Sequence, residues 1–147
     1  MIRASRLSCV PSTDRRTVVG AVILADDRAL AARRTRPTEL AGYWEFPGGK
    51  VEPGEESRAA LVREIEEELS ATVEVRDEIA GGPWVVSDQY ELRLFTASVV
   101  SGVPRAGTDH DEVRWLAFTH LDSVDWLPSD LAAVEAVKVA LGMSRRA

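Results

Sequence analysis

Glu64, Glu67 and Glu68 are the residues whose types and spacing could do chemistry. They lie in the run Arg63-Glu64-Ile65-Glu66-Glu67-Glu68, downstream of a glycine-rich stretch, Gly48-Gly49-Lys50-Val51-Glu52-Pro53-Gly54-Glu55. On a helix, positions i, i+3 and i+4 share one face. Like charges at i and i+4 destabilise a helix by roughly 0.2–0.5 kcal/mol per pair. The C-terminal end of a helix disfavours anions further. A divalent cation would offset that repulsion. Clustered carboxylates are hard oxygen ligands suited to Mg2+ or Mn2+, whose remaining positions take phosphate oxygens. The alternative reading of an acidic triplet is a solvated helix face.

The element that must carry these acids is a helix over Ser57–Leu69, a stretch free of Gly and Pro. Val62, Ile65 and Leu69, with Leu61 beside them, form its apolar stripe, and Ser57 is expected to cap it. Five residues separate Gly49 from Glu55, and seven more lead to Arg63-Glu64, Ile65 and Glu67-Glu68. This pattern, Gly49 to Ala71, resembles the Nudix box of the Nudix hydrolases. These enzymes cleave nucleoside diphosphates linked to another group. Two positions depart from the box: Ser70 stands where the family usually has Gly, and Ala71 where it has a larger aliphatic residue. Both concern the exit from the helix. The phrase Trp44-Glu45-Phe46-Pro47-Gly48-Gly49-Lys50 is also similar to the matching stretch of the MutT-like branch.

The resemblance implies a fold and a site. The fold would be α+β, a mixed sheet sandwiched between helices. Glu64, Glu67 and Glu68 would hold Mg2+, with Mn2+ as a possible substitute, aided by the Gly48 carbonyl. Glu64 would bind metal or take the proton of the attacking water, and the two roles stay undivided. Arg63 would pair with Glu55 and orient it, next to Gly49 in the structural part of the box. Asp109 falls in register with the loop acid that reaches the metal site of MutT-like enzymes; an ordinary loop aspartate is the alternative.

Two further residues bear on substrate. Arg33, Arg34 and Arg36 follow a strand candidate, and guanidinium forks match phosphate oxygens. Arg34 falls where MutT-type enzymes carry a substrate-contacting arginine; ordinary surface charge is the alternative. Asp130 lies in a segment, Asp125–Asp130, similar to the base-recognition segment of that branch. Its alternative role is to favour a helix N-terminus. An ionised Asp only accepts hydrogen bonds, which tilts the expectation toward the exocyclic amine of cytosine.

Composition sets outer bounds. The 147 residues are 45% hydrophobic with a net charge of −6, enough for a core and unsuited to coating a nucleic-acid polymer. The single Cys9 excludes an internal disulfide and suggests a reducing compartment. No apolar run approaches a membrane span, so a cytoplasmic enzyme is expected. Residues 1–16 read as a loose leader and 17–147 as a single domain. Strands are expected at Val18–Leu24, Ala29–Ala32, Thr72–Val75, Tyr90–Val100 and Val113–Phe118. A last helix is expected from Ser129 to Leu141, with Leu131, Val134, Val137 and Leu141 as its buried stripe. Trp44 and Phe46 read as core residues, and His110 as structural. The expected activity is Mg2+-dependent hydrolysis of a nucleoside triphosphate to the monophosphate and pyrophosphate. CTP, dCTP or modified nucleotides including 8-oxo-dGTP are the expected substrates. Another nucleoside diphosphate derivative, such as ADP-ribose or a dinucleotide, or a non-catalytic nucleotide sensor, is the alternative. The partner is a small nucleotide, and oligomeric state is not legible.

Overall fold

The computed structural model describes residues 14–146; residues 1–13, most of the expected leader, lie outside the described residues. Strands β1 (Arg16–Ala25) and β2 (Arg28–Arg34) form a hairpin. The short strands β3 (Trp44–Glu45) and β4 (Gly48–Lys50) follow, then helix α1 (Ser57–Leu69). Strands β5 (Thr72–Glu78), β6 (Trp84–Val85), β7 (Tyr90–Ser101) and β8 (His110–Ala117) come next, and helix α2 (Leu131–Arg146) closes the order. The sheet is mixed. Its path runs β3-β2-β1-β7-β5, with β4 on β1, β6 on β7 and β8 on β2. Only β1 and β7 among these named pairings run parallel.

The central strand explains the layering. β1 reads as a nearly unbroken apolar run because both of its faces are covered. Val19, Ala21 and Ile23 pack with Leu61, Ile65, Leu69 and Phe95 under α1. Val22 packs with Leu94, Trp126, Val134 and Val137 under α2. Alternation along one strand therefore feeds two cores. Among the described residues no helix is long and apolar enough to cross a membrane.

Several expectations move. Arg16 already belongs to β1 rather than to a leader. Ser57 is not a cap: Glu56 holds that position without a side-chain bond. The Ser57 hydroxyl instead accepts from Arg93 Nη1 at 3.0 Å. β8 begins at His110 because its register with β2 continues to Arg34. Residues 128–130 form a separate 3-10 turn ahead of α2. Leu131 is exposed, not part of the stripe, and Ala133 is buried in its place. Trp44 and Phe46 are core residues, as expected.

Ser70 ends α1 in the left-handed region at φ 58°, its N–H bonding the Glu66 carbonyl. An L side chain is strained there, and glycine is not. The Ser70 hydroxyl makes no hydrogen bond among the described residues, so nothing compensates. Ser70→Gly is expected to raise stability by about 0.5–1 kcal/mol, read as a higher urea midpoint with an unchanged slope.

Candidate active site

The glycine-rich stretch opens as strand β4 over Gly48–Lys50 and only then becomes a loop, turning at residues 53–54. Val18, Val19 and Gly20 pair with Lys50, Gly49 and Gly48. A Cβ on Gly48 would collide with the Val19 carbonyl, and one on Gly49 with the Glu64 carboxylate. Only glycines let α1 lay Glu64 directly against the backbone here.

Arg63 ties this corner together. Its Nε and Nη2 donate to the two Glu55 oxygens at 2.8 and 3.0 Å. Nη2 also donates to the Lys50 carbonyl at 3.2 Å. Nη1 donates to Glu64 at 3.0 Å and to Glu67 at 3.3 Å. The bidentate bond from Arg63 holds the Glu55 carboxyl down at about 2. The same carboxylates push the Arg63 guanidinium up.

Beyond Arg63 opens a cleft of about 260 Å3, lined among others by Arg34, Glu45, Gly48, Gly49, Glu68, Asp109 and Asp130. Glu68 is a strongly perturbed acid of this cleft. Burial first, then the charges of Glu45, Glu64 and Asp109, push its carboxyl up to about 8. Its Oε1 is buried with no hydrogen-bond partner. Glu64 is also raised, chiefly by burial, against the opposing pull of Arg63. Glu67 differs: its side chain is 59% exposed and leans on Arg63.

No group of three or more acids, histidines or cysteines is gathered at metal-binding distance among the described residues. The acids are coupled by charge rather than drawn into a ready cage. The donor set nevertheless fits a hard cation. Glu68 presents an orphaned oxygen in an electronegative pocket, and carboxylates are the ligands such ions take.

The opposite wall is cross-braced. Arg36 donates to Asp109 Oδ1 through Nε at 2.8 Å and approaches it through Nη2 at 2.6 Å. Arg34 donates to the Arg36 carbonyl through Nε and Nη2, and to Glu45 Oε2 through Nη1 at 2.9 Å. His110, with a fully buried side chain, bonds the same Glu45 oxygen through Nε2 at 2.8 Å. Asp130 is 9% exposed and accepts from the Ser129 hydroxyl at 3.3 Å. Burial, reinforced by Glu45, pushes its carboxyl up to about 7. Ionised, Asp130 only accepts, as expected; a carboxyl raised to about 7 adds a protonated form that can donate near neutrality.

Of the residues singled out in the sequence, Arg34, Gly48, Gly49, Glu68, Asp109 and Asp130 share the cleft. Glu55, Arg63 and Glu64 brace its edge, and Glu67 points outward. Glu45 was missed. Its signal was an acid between two core aromatics, since strand alternation turns it away from the faces of Trp44 and Phe46. A concavity of about 730 Å3 at the β1–β2 turn and an apolar groove of about 540 Å3 between β5 and α2 contain none of these acids.

The family model described as the NUDIX domain matches residues 14–136. The CTP pyrophosphohydrolase of Escherichia coli is 35% identical over 120 residues, 81% of this chain and 88% of that protein. The 8-oxo-dGTP diphosphatase of Escherichia coli is 39% identical over 121 residues, 82% of this chain and 93% of that protein. The crystal structure of a MutT NUDIX hydrolase from Burkholderia pseudomallei superposes with a TM-score of 0.72 at 31% identity. It covers 84% of this chain and 98% of its own.

Proposed function

Since this chain belongs to the NUDIX family of hydrolases, we propose that it is a magnesium-dependent nucleoside triphosphate pyrophosphohydrolase. It would release a nucleoside monophosphate and pyrophosphate from CTP, dCTP or a modified nucleotide such as 8-oxo-dGTP. The observation that carries this reading is the buried, unpartnered Oε1 of Glu68 among three neighbouring acids. Two relatives of this length, named for CTP and for 8-oxo-dGTP, support the substrate class.

Glu68, Glu64, Asp109 and the Gly48 carbonyl would hold the ion, with manganese as a substitute. Glu67 would join only by turning from Arg63. Bound there, the ion would neutralise phosphate charge and lower the pKa of water. The chain's own groups do the rest. Glu64, raised by burial, would take the proton of the attacking water or share in holding the ion. Arg63 and Glu55 fix its position. Arg34 offers positive charge to the phosphate tail.

Asp130 would read the base. Ionised, it accepts from the amine of cytosine; protonated, it also donates, as a guanine-type edge with a carbonyl requires. The proton is held below pH 7 and lost above it, because burial raises the carboxyl to about 7. The kcat/KM ratio of CTP to 8-oxo-dGTP is therefore expected to rise with pH through that value. Asp130→Asn is expected to flatten the ratio and shift it away from cytosine. Steady-state kinetics over CTP, dCTP, 5-methyl-dCTP, 8-oxo-dGTP and ADP-ribose with magnesium, with products identified, test the whole reading. Turnover of ADP-ribose alone would refute it.

A further inference from the structure

The segment between β7 and β8 closes the open carbonyl end of α1. The last four carbonyls of a helix have no partner within it. Here the Ser70 N–H donates to the Glu66 carbonyl at 3.2 Å, and the Arg105 N–H to the Leu69 carbonyl at 3.0 Å. The Glu68 carbonyl meets Gly107. A Cβ on that glycine would stand 2.7 Å from the Glu68 carbonyl oxygen. Carbon and a carbonyl oxygen approach no closer than about 3.3 Å, and a helix backbone cannot swing aside as the tip of a side chain can. Gly102, in the same segment, has a positive φ of 82°, but Gly107 has none. The backbone conformation therefore does not ask for glycine at 107. The close approach to Glu68 does.

The other end of the segment is pinned just beyond β2. The Thr35 N–H donates to the Asp109 carbonyl at 3.0 Å, and the Thr35 hydroxyl to the Thr108 carbonyl at 3.3 Å. Asp109, two residues after Gly107, is thus held between the end of α1 and the end of β2. Its side chain lines the cleft together with that of Glu68. A small hard cation takes its oxygen ligands within narrow limits, at about 2.0–2.1 Å for Mg2+. A side chain at position 107 would lift the segment by about half an ångström, enough to spoil a coordination that both acids share.

We propose that Gly107 is a positioning residue: by letting its segment lie on the Glu68 backbone, it sets Asp109 at the spacing from Glu68 that one cation bridges. The assignment rests on the metal-dependent reading above. It gives a glycine outside the acidic run a share in metal affinity, passed through Asp109.

Mn2+ binding to the protein without nucleotide, followed by paramagnetic resonance, tests this on wild type, Gly107→Ala, Asp109→Asn and the double variant. Gly107→Ala is expected to weaken Mn2+ binding by about tenfold, the scale at which groups that orient metal ligands act. In the Asp109→Asn background the same change is expected to cost less than about twofold, because the residue it acts through is already lost. Hydrogen exchange of the metal-free protein is measured alongside, with faster exchange expected at the Arg105 and Thr35 amides of Gly107→Ala. Arg105→Pro removes the donor to Leu69 without adding a Cβ at 107 and is also expected to weaken Mn2+ binding; it decides the matter if Gly107→Ala does not fold, and wild-type affinity there counts against the proposal. Undiminished affinity in Gly107→Ala overturns it while the metal reading stands. So does an equal loss in both backgrounds, which would be a general loosening of the fold. A wild-type protein that binds no Mn2+ overturns the metal reading instead. Exchange then still decides the placement: unchanged protection at Arg105 and Thr35 refutes it, and faster exchange at both upholds it.

Discussion

Glu68→Gln is expected to lower kcat by about a thousandfold, the rate equivalent of roughly 4 kcal/mol of lost transition-state stabilisation at a metal site. The same change is expected to raise the melting temperature of the metal-free protein. Both follow from one placement. Glu68 sits in a pocket with Glu45, Glu64 and Asp109 near it, its carboxyl pushed from 4.5 up to about 8. A carboxyl raised in the folded state binds its proton more tightly there than in the unfolded chain. Folding stability from this group is intact below 4.5 and falls as pH rises toward 8. Glutamine cannot ionise, so the variant escapes that loss. Melting curves in chelator from pH 5 to 9 should slope downward for the wild-type protein and less so for the variant. Adding Mg2+ or Mn2+ at pH 8 should raise the wild-type melting temperature and leave that of the variant unchanged. A metal-free wild-type protein indifferent to pH over this range would contradict the placement.

Arg63→Lys is expected to lower kcat by about ten- to a hundredfold with little change in KM, the scale at which groups that orient metal ligands act. An ammonium is a point charge and cannot fork both Glu55 oxygens while reaching Glu64 and Glu67. Because Arg63 touches other side chains of this corner, its loss should misplace Glu64 more than weaken substrate binding. Stability adds a second readout. Glu55 is depressed to about 2 by Arg63, so the pair stabilises the fold above 4.5 and fades as pH falls toward 2. The gap in urea midpoint between wild type and Arg63→Ala should therefore close over that window. A gap that persists at pH 2 would assign the loss to packing instead.

How much could be read from the chain alone depended on how local each feature was. The stripe of α1 and the Arg63–Glu55 fork were legible because helical spacing and a short loop fix them. Glu67 shows the limit of the same-face rule. At about 100° per residue, Glu67 falls between Arg63 and Glu64 on the helical wheel, whereas Glu68 lies on the far side of Glu64. A nearby guanidinium then draws Glu67 outward while Glu68 turns into the cleft. Glu45 was hidden for a different reason. Its partners come from β2 and β8, and only tertiary pairing places Arg34 opposite His110. The upward shift of the Asp130 carboxyl was equally out of reach, since it depends on burial and on Glu45, neither of which spacing encodes. Leu131 failed because α2 starts after a 3-10 turn, which rotates its first residue to solvent.

The parallel pairing of β1 with β7 has a kinetic consequence. Eight consecutive partners join these strands, from Arg16 with Tyr90 to Ile23 with Ala97, while residues 26–89 intervene. A nascent chain can form the first hairpin early, yet its middle strand stays half-paired until β7 has emerged from the ribosome. Non-local pairing of this kind is slow, on the order of milliseconds to seconds. During synthesis, the edge of β1 that awaits β7 presents unpaired N–H and C=O groups that another chain could take up.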